Sequence, residues 1–260
     1  MADESVLVER RDAIALVTLN RPHKHNALSF ELLGRLETIV RALSDETAVR
    51  VVILRGTDTC FSTGMDLDDL AGVSTVADTQ RALGVGRATN AAIEQCPKPV
   101  IAAIAGWCLT GGLEMALACD IRVAAESARF GITSARIGTV AGMGGTQRLA
   151  RLVGPARAKE ILFSAEPIDA AEALRIGLVN RVVPAGQEID MAVEMARLFA
   201  RRAPLSLAFA KTAVDVGLTM PLESALTFEI GLTTQLFTTE DRQEGLRAFK
   251  EKREAKFRGR

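Results

Sequence analysis

The chain has 260 residues, enough to bury a substantial core as one large domain or two modest ones, and its 48% hydrophobic content excludes a disordered chain. Lys plus Arg and Asp plus Glu number 32 each, so no net field recruits nucleic acid or an anionic membrane, and a general polyanion binder is excluded. The N-terminal segment lacks the basic-then-apolar order of a secretory signal, and the apolar run 99–109 is well short of the roughly 20 residues of a membrane helix. The expectation is a soluble, cytoplasmic protein.

Segments 6–9 and 14–19 read as strands, NRPHKHNA as a turn, and a helix follows with Ser29 at its N-cap. Leu32, three positions on, leaves only half a capping box. VRVVIL (49–54) is a continuous apolar strand of the kind buried on both faces of a sheet. GTDTCFSTGMD reads as a loop leading to a short helix near 66–71, and a longer helix over 76–94 is stopped by CPKP. PVIAAIAG is a second buried strand, followed by a loop, a helix from Gly111 and a third strand in DIRVAA. The recurrence of strand, loop and helix predicts stacked turns of similar design. From about Thr146 the chain reads mostly as helix, broken by a short strand in LVNRVV, with Pro204 and Pro221 where helices begin. The charged amphipathic segment EDRQEGLRAFKEKREAKFRGR is a tail helix, either solvated or docked on another subunit.

The stretch LTGGLEMALACD (109–120) poses the chemical question. Its helix opens at Gly111 and Gly112, so its first peptide N–H groups have no intrahelical partner and an anion can approach the backbone closely. Glu114 lies in the first turn. One reading is a dipole stabiliser worth about 0.3–1 kcal/mol; the other is a buried acid whose raised pKa lets it trade protons near neutrality, because its neighbours are apolar nearly all round. CFSTGMDL (60–67) repeats the arrangement of strand, glycine loop and helix start. Two such loops at the ends of successive strands would aim two N–H groups at one point, as an oxyanion hole does, each donor contributing about 3 kcal/mol in a transition state.

Other signals carry less. Cys60, Cys96, Cys108 and Cys119 form no C-x-x-C pair and are expected reduced and mostly buried. The only histidines, His23 and His25, lie in one turn, which is poor material for a triad. GMGGTQ lacks the third glycine of a dinucleotide loop. Trp107 reads as packing rather than as a pocket wall. The basic elements RLARLVGPARAK and FKEKREAKFRGR lack the aromatic interleaving of an RNA platform.

The combination of LNRPHKHNAL, FSTGMDL, AAIAGWCLTGGLEMALACDIRVAAESARFG, GMGGTQRLARLVG and PIDAAEALRIGLVNRVV, with EGLRAFKEKREAKF at the C-terminus, resembles the enoyl-CoA hydratase/isomerase, or crotonase, family. The resemblance implies an α/β fold: a spiral of ββα turns over residues 1–196 and a C-terminal helical oligomerisation region over 197–260, assembled as trimers or hexamers. It implies that the N–H groups of Met65 and Gly111 bind a thioester oxygen, and that Glu114 activates water for addition to C3. Lys24, His25, Asp66, Leu67 and Asp68 would line the CoA channel, and Lys252 would contact CoA, in one arrangement across a subunit boundary. No metal and no separate cofactor is implied, CoA being part of the substrate.

One position departs from the pattern. Family hydratases read F-G-Q-P-E where this chain reads F-G-I-T-S, so Ser134 stands in place of a second glutamate. A hydroxyl of ordinary pKa cannot exchange the C2 proton directly; Ser134 is assigned to hold a water or the substrate, with a plain loop serine as the other reading. The chain has no tyrosine, which excludes a tyrosine-dependent decarboxylase, and GTVAGMGGTQ offers no further acid. The expected activity is hydration of a 2-enoyl-CoA or the reverse dehydration. The alternatives are double-bond isomerisation or acyl-CoA hydrolysis by Glu114 alone, and a noncatalytic CoA-thioester-binding or RNA-binding homologue.

Overall fold

A computed structural model describes residues 4–260. The chain opens with an antiparallel hairpin, β1 (Val6–Arg11) and β2 (Ile14–Leu19), followed by α1 (Phe30–Asp45). Three similar turns come next. The first is β3 (Val51–Arg55), β4 (Cys60–Ser62), α2 (Leu67–Leu70) and α3 (Val76–Gln95). The second is β5 (Val100–Ile104), β6 (Trp107–Leu109) and α4 (Gly111–Ala118); the third is β7 (Ile121–Ala125), β8 (Arg129–Gly131) and α5 (Gly145–Val153). After α6 (Pro155–Ser164), β9 (Ile168–Asp169), α7 (Ala170–Arg175) and β10 (Arg181–Val183), the chain ends in α8 (Glu188–Ala200), α9 (Pro204–Gly217), α10 (Leu222–Leu236) and α11 (Glu240–Lys250).

Each turn sends its first strand to one sheet and its second to another. The large sheet runs β1-β2-β3-β5-β7-β10, parallel from β2 onward; the small one runs β4-β6-β8-β9 and is parallel except for β8–β9. The expected stacking of similar turns is therefore present, but β4 and β6 fall in segments read as loops. A three-residue strand is too short to display a period of two; CFS and WCL become strands because β4, β6 and β8 pair with one another.

The large sheet is covered on both faces, which is why its strands read as unbroken apolar runs. Ala15, Val17, Val52, Leu54, Ala102 and Ile104 face the main core with α1, α3, α4 and the small sheet. The alternate residues, Ile14, Leu16, Val51, Ile53, Ile101 and Ala103, pack against Ala192, Val193 and Ala196 of α8. α1 turns Leu32, Leu33, Leu36, Val40 and Leu43 inward at helical spacing, and Ser29 accepts the Leu32 N–H at 3.2 Å as its half cap. α3 starts on a full capping box between Thr75 and Asp78. All four cysteines are free and buried.

The C-terminal helices are less integrated. Neither α9 nor α10 has a buried residue, and Leu218, Leu222, Ile230 and Phe237 are all at least 60% exposed. They are tethered by Lys211, whose Nζ reaches Asp120 at 3.0 Å, while buried Asp241 on α11 accepts the N–H groups of Arg258 and Gly259 from the tail. Among the described residues no helix is long and apolar enough to cross a membrane.

Candidate active site

The two glycine loops meet. After β4, Gly64 takes φ +102°, a region that an L side chain resists, and its N–H donates to Ser62 Oγ at 3.2 Å. Met65 then pairs with Leu28 in a short parallel bridge: the Leu28 N–H donates to the Gly64 carbonyl at 2.8 Å and the Asp66 N–H to the Leu28 carbonyl at 3.0 Å. In such a bridge the Met65 N–H points away from Leu28. Gly111, the first residue of α4, stands on the neighbouring loop. A Cβ on Gly64 would lie 3.1 Å from the Gly111 nitrogen and 3.1 Å from Thr110 Cβ, so the two backbones touch.

Thr110 supplies the sharp entry into α4. Its φ of 48° and ψ of −113° are unfavourable for a β-branched residue and persist only under external restraint. The restraint comes from the next turn of the fold: the Thr110 N–H donates to the Gly131 carbonyl at 2.7 Å, and its hydroxyl meets Thr133 Oγ1 at 2.9 Å and accepts the Thr133 N–H at 3.2 Å. Among the described residues, neither the Met65 nor the Gly111 N–H donates to a protein acceptor.

Glu114 lies one turn into α4, where all eight residues are buried; Glu114 itself is 2% exposed. Its Oε1 accepts two peptide N–H groups, from Met143 at 2.7 Å and Gly145 at 2.8 Å, while among the described residues Oε2 makes no hydrogen bond. Burial raises its pKa above the ordinary carboxylate value; the Gly145 and Met143 amides and the Arg148 charge act the other way without cancelling it. The raised pKa agrees with the reading of a buried acid, and its partners, which the sequence did not reveal, are backbone donors in the GMGGTQ turn. Other buried carboxylates have other work. Asp66 is ion-paired, Glu188 accepts the Gly186 N–H beside α8, and Asp241 binds the tail.

Lys24, His25, Asp66 and Asp68 come together beside Met65. Asp66 caps α2 through the Asp68 N–H and pairs with Arg21 at 2.8 Å and Lys24 at 3.6 Å; Lys24 also pairs with Asp68. Burial opposes ionisation of Asp66, but Arg21, the Asp68 amide and Lys24 outweigh it and hold its pKa below the ordinary value. Bonding from Asp68 raises that of Lys24. The His25 carbonyl accepts the Thr63 N–H at 3.3 Å, and Leu67 stands 67% exposed. Ser134 is buried at the start of a 3₁₀ turn after β8, with no partner for its hydroxyl among the described residues. It is two residues beyond Ile132, whose side chain and the Glu114 Cγ both border Gly145. Lys252 is exposed just past α11 and forms no ion pair with this group of residues. Trp107, expected to be packed, begins β6 with 42% of its surface exposed, while the next residue, Cys108, is fully buried. Among the described residues no group of three or more His, Cys, Asp or Glu is placed to hold a metal ion.

Sequence reasoning missed the residues that hold these groups. Asn26, fully buried, accepts the Arg21 N–H and donates to the Cys60 carbonyl, fastening the 22–26 turn to β4. Asn90 and Arg148 both donate to the Met143 carbonyl. A lone asparagine on a helix carries no local signal of such a role.

With this geometry in hand, comparison with known proteins places the chain. The enoyl-CoA hydratase/isomerase family profile matches residues 9–260. The chain belongs to the enoyl-CoA hydratase/isomerase family, and it is an enzyme of crotonase fold. It is 38% identical over 251 residues to the short-chain-enoyl-CoA hydratase of Clostridium acetobutylicum, covering 96% of this chain and 95% of that one. It is 37% identical to the crotonyl-CoA hydratase of Syntrophomonas wolfei, with 99% of each chain covered. The crystal structure of an enoyl-CoA hydratase from Bacillus anthracis superposes with a TM-score of 0.95 at 39% identity, covering 99% of this chain and all of that one.

The buried charge has a consequence for stability. A carboxyl whose pKa is raised in the folded chain binds its proton more tightly there, so its stabilising contribution is present at low pH and is lost as pH rises from the ordinary carboxylate value through the folded one. Glutamine keeps an oxygen under the same two N–H donors and removes the charge. Glu114→Gln is expected to raise the urea midpoint at pH 7 and to leave it nearly unchanged at pH 4; a lower midpoint at pH 7 would show that ionised Glu114 stabilises the fold.

Proposed function

We propose that the protein adds water across the double bond of a 2-enoyl-CoA thioester, or runs the reverse dehydration, with Glu114 as the single acid–base group. The observation that carries this reading is the juxtaposition of two unpaired peptide N–H groups, on loops in backbone contact, with a buried carboxylate one helical turn away that has one oxygen held and the other free. The names of the relatives, short-chain-enoyl-CoA hydratase and crotonyl-CoA hydratase, support it.

In this mechanism the Met65 and Gly111 N–H groups hold the thioester oxygen, where negative charge grows as water attacks C3. Each donor contributes about 3 kcal/mol when it is stronger in the transition state than in the ground state. Glu114 Oε2 takes a proton from the attacking water as the C3–O bond forms and the C2=C3 electron pair moves into the enolate. The same carboxyl then returns that proton to C2, the enolate collapses to the thioester, and one water has been added in total. Ser134 holds water or substrate without ionising. Addition of water involves no net redox change, so the proposal includes no redox cofactor, and the two peptide N–H groups take the charge-stabilising role for which a metal would otherwise serve; CoA arrives with the substrate.

Lys24, His25 and the 65–68 segment line the CoA channel in this reading, and Lys252 reaches CoA from a neighbouring subunit. The exposed apolar side chains of α9 and α10 support assembly, with residues 197–260 as the oligomerisation region and 1–196 as the core of a soluble, cytoplasmic trimer or hexamer. Sedimentation at micromolar concentration is expected to give a trimer or its double, and Ile230→Glu to lower that mass; a wild-type monomer would remove this part.

The activity is tested by incubating the protein with a series of trans-2-enoyl-CoA thioesters in deuterated water. The expected product is the 3-hydroxyacyl-CoA with one carbon-bound deuterium at C2, and Glu114→Gln is expected to lower its rate of formation by about 10²–10⁴-fold. A shifted double bond would favour the isomerase reading, for which the serine at 134 speaks, and free CoA the hydrolase; full activity of Glu114→Gln would contradict all three.

A further inference from the structure

Asn90 is a buried polar group that the chemistry above does not use. It lies in α3 and is fully buried; its Nδ2 donates to the Met143 carbonyl at 3.0 Å, and its Oδ1 has no partner among the described residues. An orphaned acceptor in the core is unfavourable. Leucine, branched alike at Cγ with the same number of side-chain heavy atoms, would remove it, and the Met143 carbonyl would stay satisfied because Arg148 Nη1 also donates to it at 3.1 Å. Fold stability alone therefore gives no reason for an amide at this position.

Met143 connects that amide to the active site. Its N–H is one of the two donors to Glu114 Oε1, and its carbonyl is held by Asn90 and Arg148, so the residue is clamped at both ends. Arg148 is in turn gripped by Glu94 of α3 through both carboxylate oxygens, at 3.2 and 2.6 Å. α3 thus fixes Met143 twice, once directly and once through an ion pair. The Met143 side chain fills the space between α3 and the proposed oxyanion hole: a Cβ on Gly86 would stand 1.9 Å from its Sδ, and one on Gly111 would stand 2.7 Å from its Cε.

We infer that Asn90 and Arg148 are positioning residues for the reaction: by fixing the Met143 carbonyl they set where the 143–145 amides hold Glu114, and so where its free oxygen meets C3. The inference rests on the role given to Glu114 under Proposed function. From the elements packed against α4, the charged group facing Glu114 is Arg148 of α5; Glu94 of α3 faces Arg148, and β4 and β6 bring Cys60 and Cys108, thiols kept neutral by burial. The two amides and the Arg148 charge all favour the ionised carboxylate. Loosening the clamp therefore raises the pKa of the base, which moves the acid limb of the rate profile to higher pH.

The test compares Asn90→Leu, Arg148→Gln and Arg148→Lys with wild type, measuring kcat and KM for crotonyl-CoA from pH 5 to 9 and urea unfolding, with Glu114→Gln as reference. Asn90→Leu is expected to fold, to lower kcat by about tenfold or more, since small misplacements of reacting groups cost that much, to leave KM nearly unchanged, and to move the acid limb upward. Arg148→Gln is expected to do the same, and Arg148→Lys, which keeps the charge and a donor, to recover part of the rate and the original limb. The inference is overturned if Asn90→Leu fails to fold, or if Asn90→Leu and Arg148→Gln fold and keep both the wild-type kcat and the wild-type limb. Turnover surviving in Glu114→Gln would instead overturn the role of Glu114 itself.

Discussion

The hold of the Met143 and Gly145 amides on one oxygen of Glu114 is the interaction on which the site depends. A carboxylate inside a helix buried on every side is costly in its charged form, and two directed N–H donors lower that cost without neutralising the group. A lysine or arginine at salt-bridge distance would stabilise the anion further and take away its basicity. Backbone donors leave a carboxylate of raised proton affinity with one oxygen still available, and the Arg148 charge, from farther off, favours the ionised form with them.

The fold supplies everything around that group by repetition. Each ββα turn ends a strand of the large sheet, crosses to a three-residue strand of the small sheet, and releases a loop into a helix. Stacking the turns puts the loop of one against the loop of the next, so the Met65 and Gly111 amides are neighbours although 46 residues separate them in the sequence, as their numbers show. The third turn locks the second: Gly131, the last residue of β8, and Thr133 just beyond it hold Thr110 in the strained conformation that starts α4. The strain is tolerated because three hydrogen bonds over-determine it.

Much of this was legible in the sequence. The long strands of the large sheet announced themselves as apolar runs, α1 by its spacing and Ser29, the end of α3 by CPKP, and Glu114 by being the one charge in an apolar helix. What was not legible lies at long range. Strands as short as CFS and WCL acquire their conformation from partners in other turns. The GMGGTQ turn looked like a defective dinucleotide loop because nothing local says that its amides aim at residue 114. Asn26 and Asn90 have the same character, since each gains its meaning from a carbonyl more than thirty residues away. Exposure of Trp107 went against a general tendency of tryptophan to pack, which a single sequence cannot override.

Chemistry that begins with a polarised thioester needs its oxygen in the right place before anything else. A crystal structure of the protein with an unreactive saturated acyl-CoA bound measures that directly. The thioester oxygen is predicted to lie about 2.7–3.1 Å from both the Met65 and Gly111 nitrogens, with C3 facing Glu114 Oε2. A thioester oxygen bound away from either nitrogen, or an acyl chain that keeps C3 out of reach of Glu114, would contradict it.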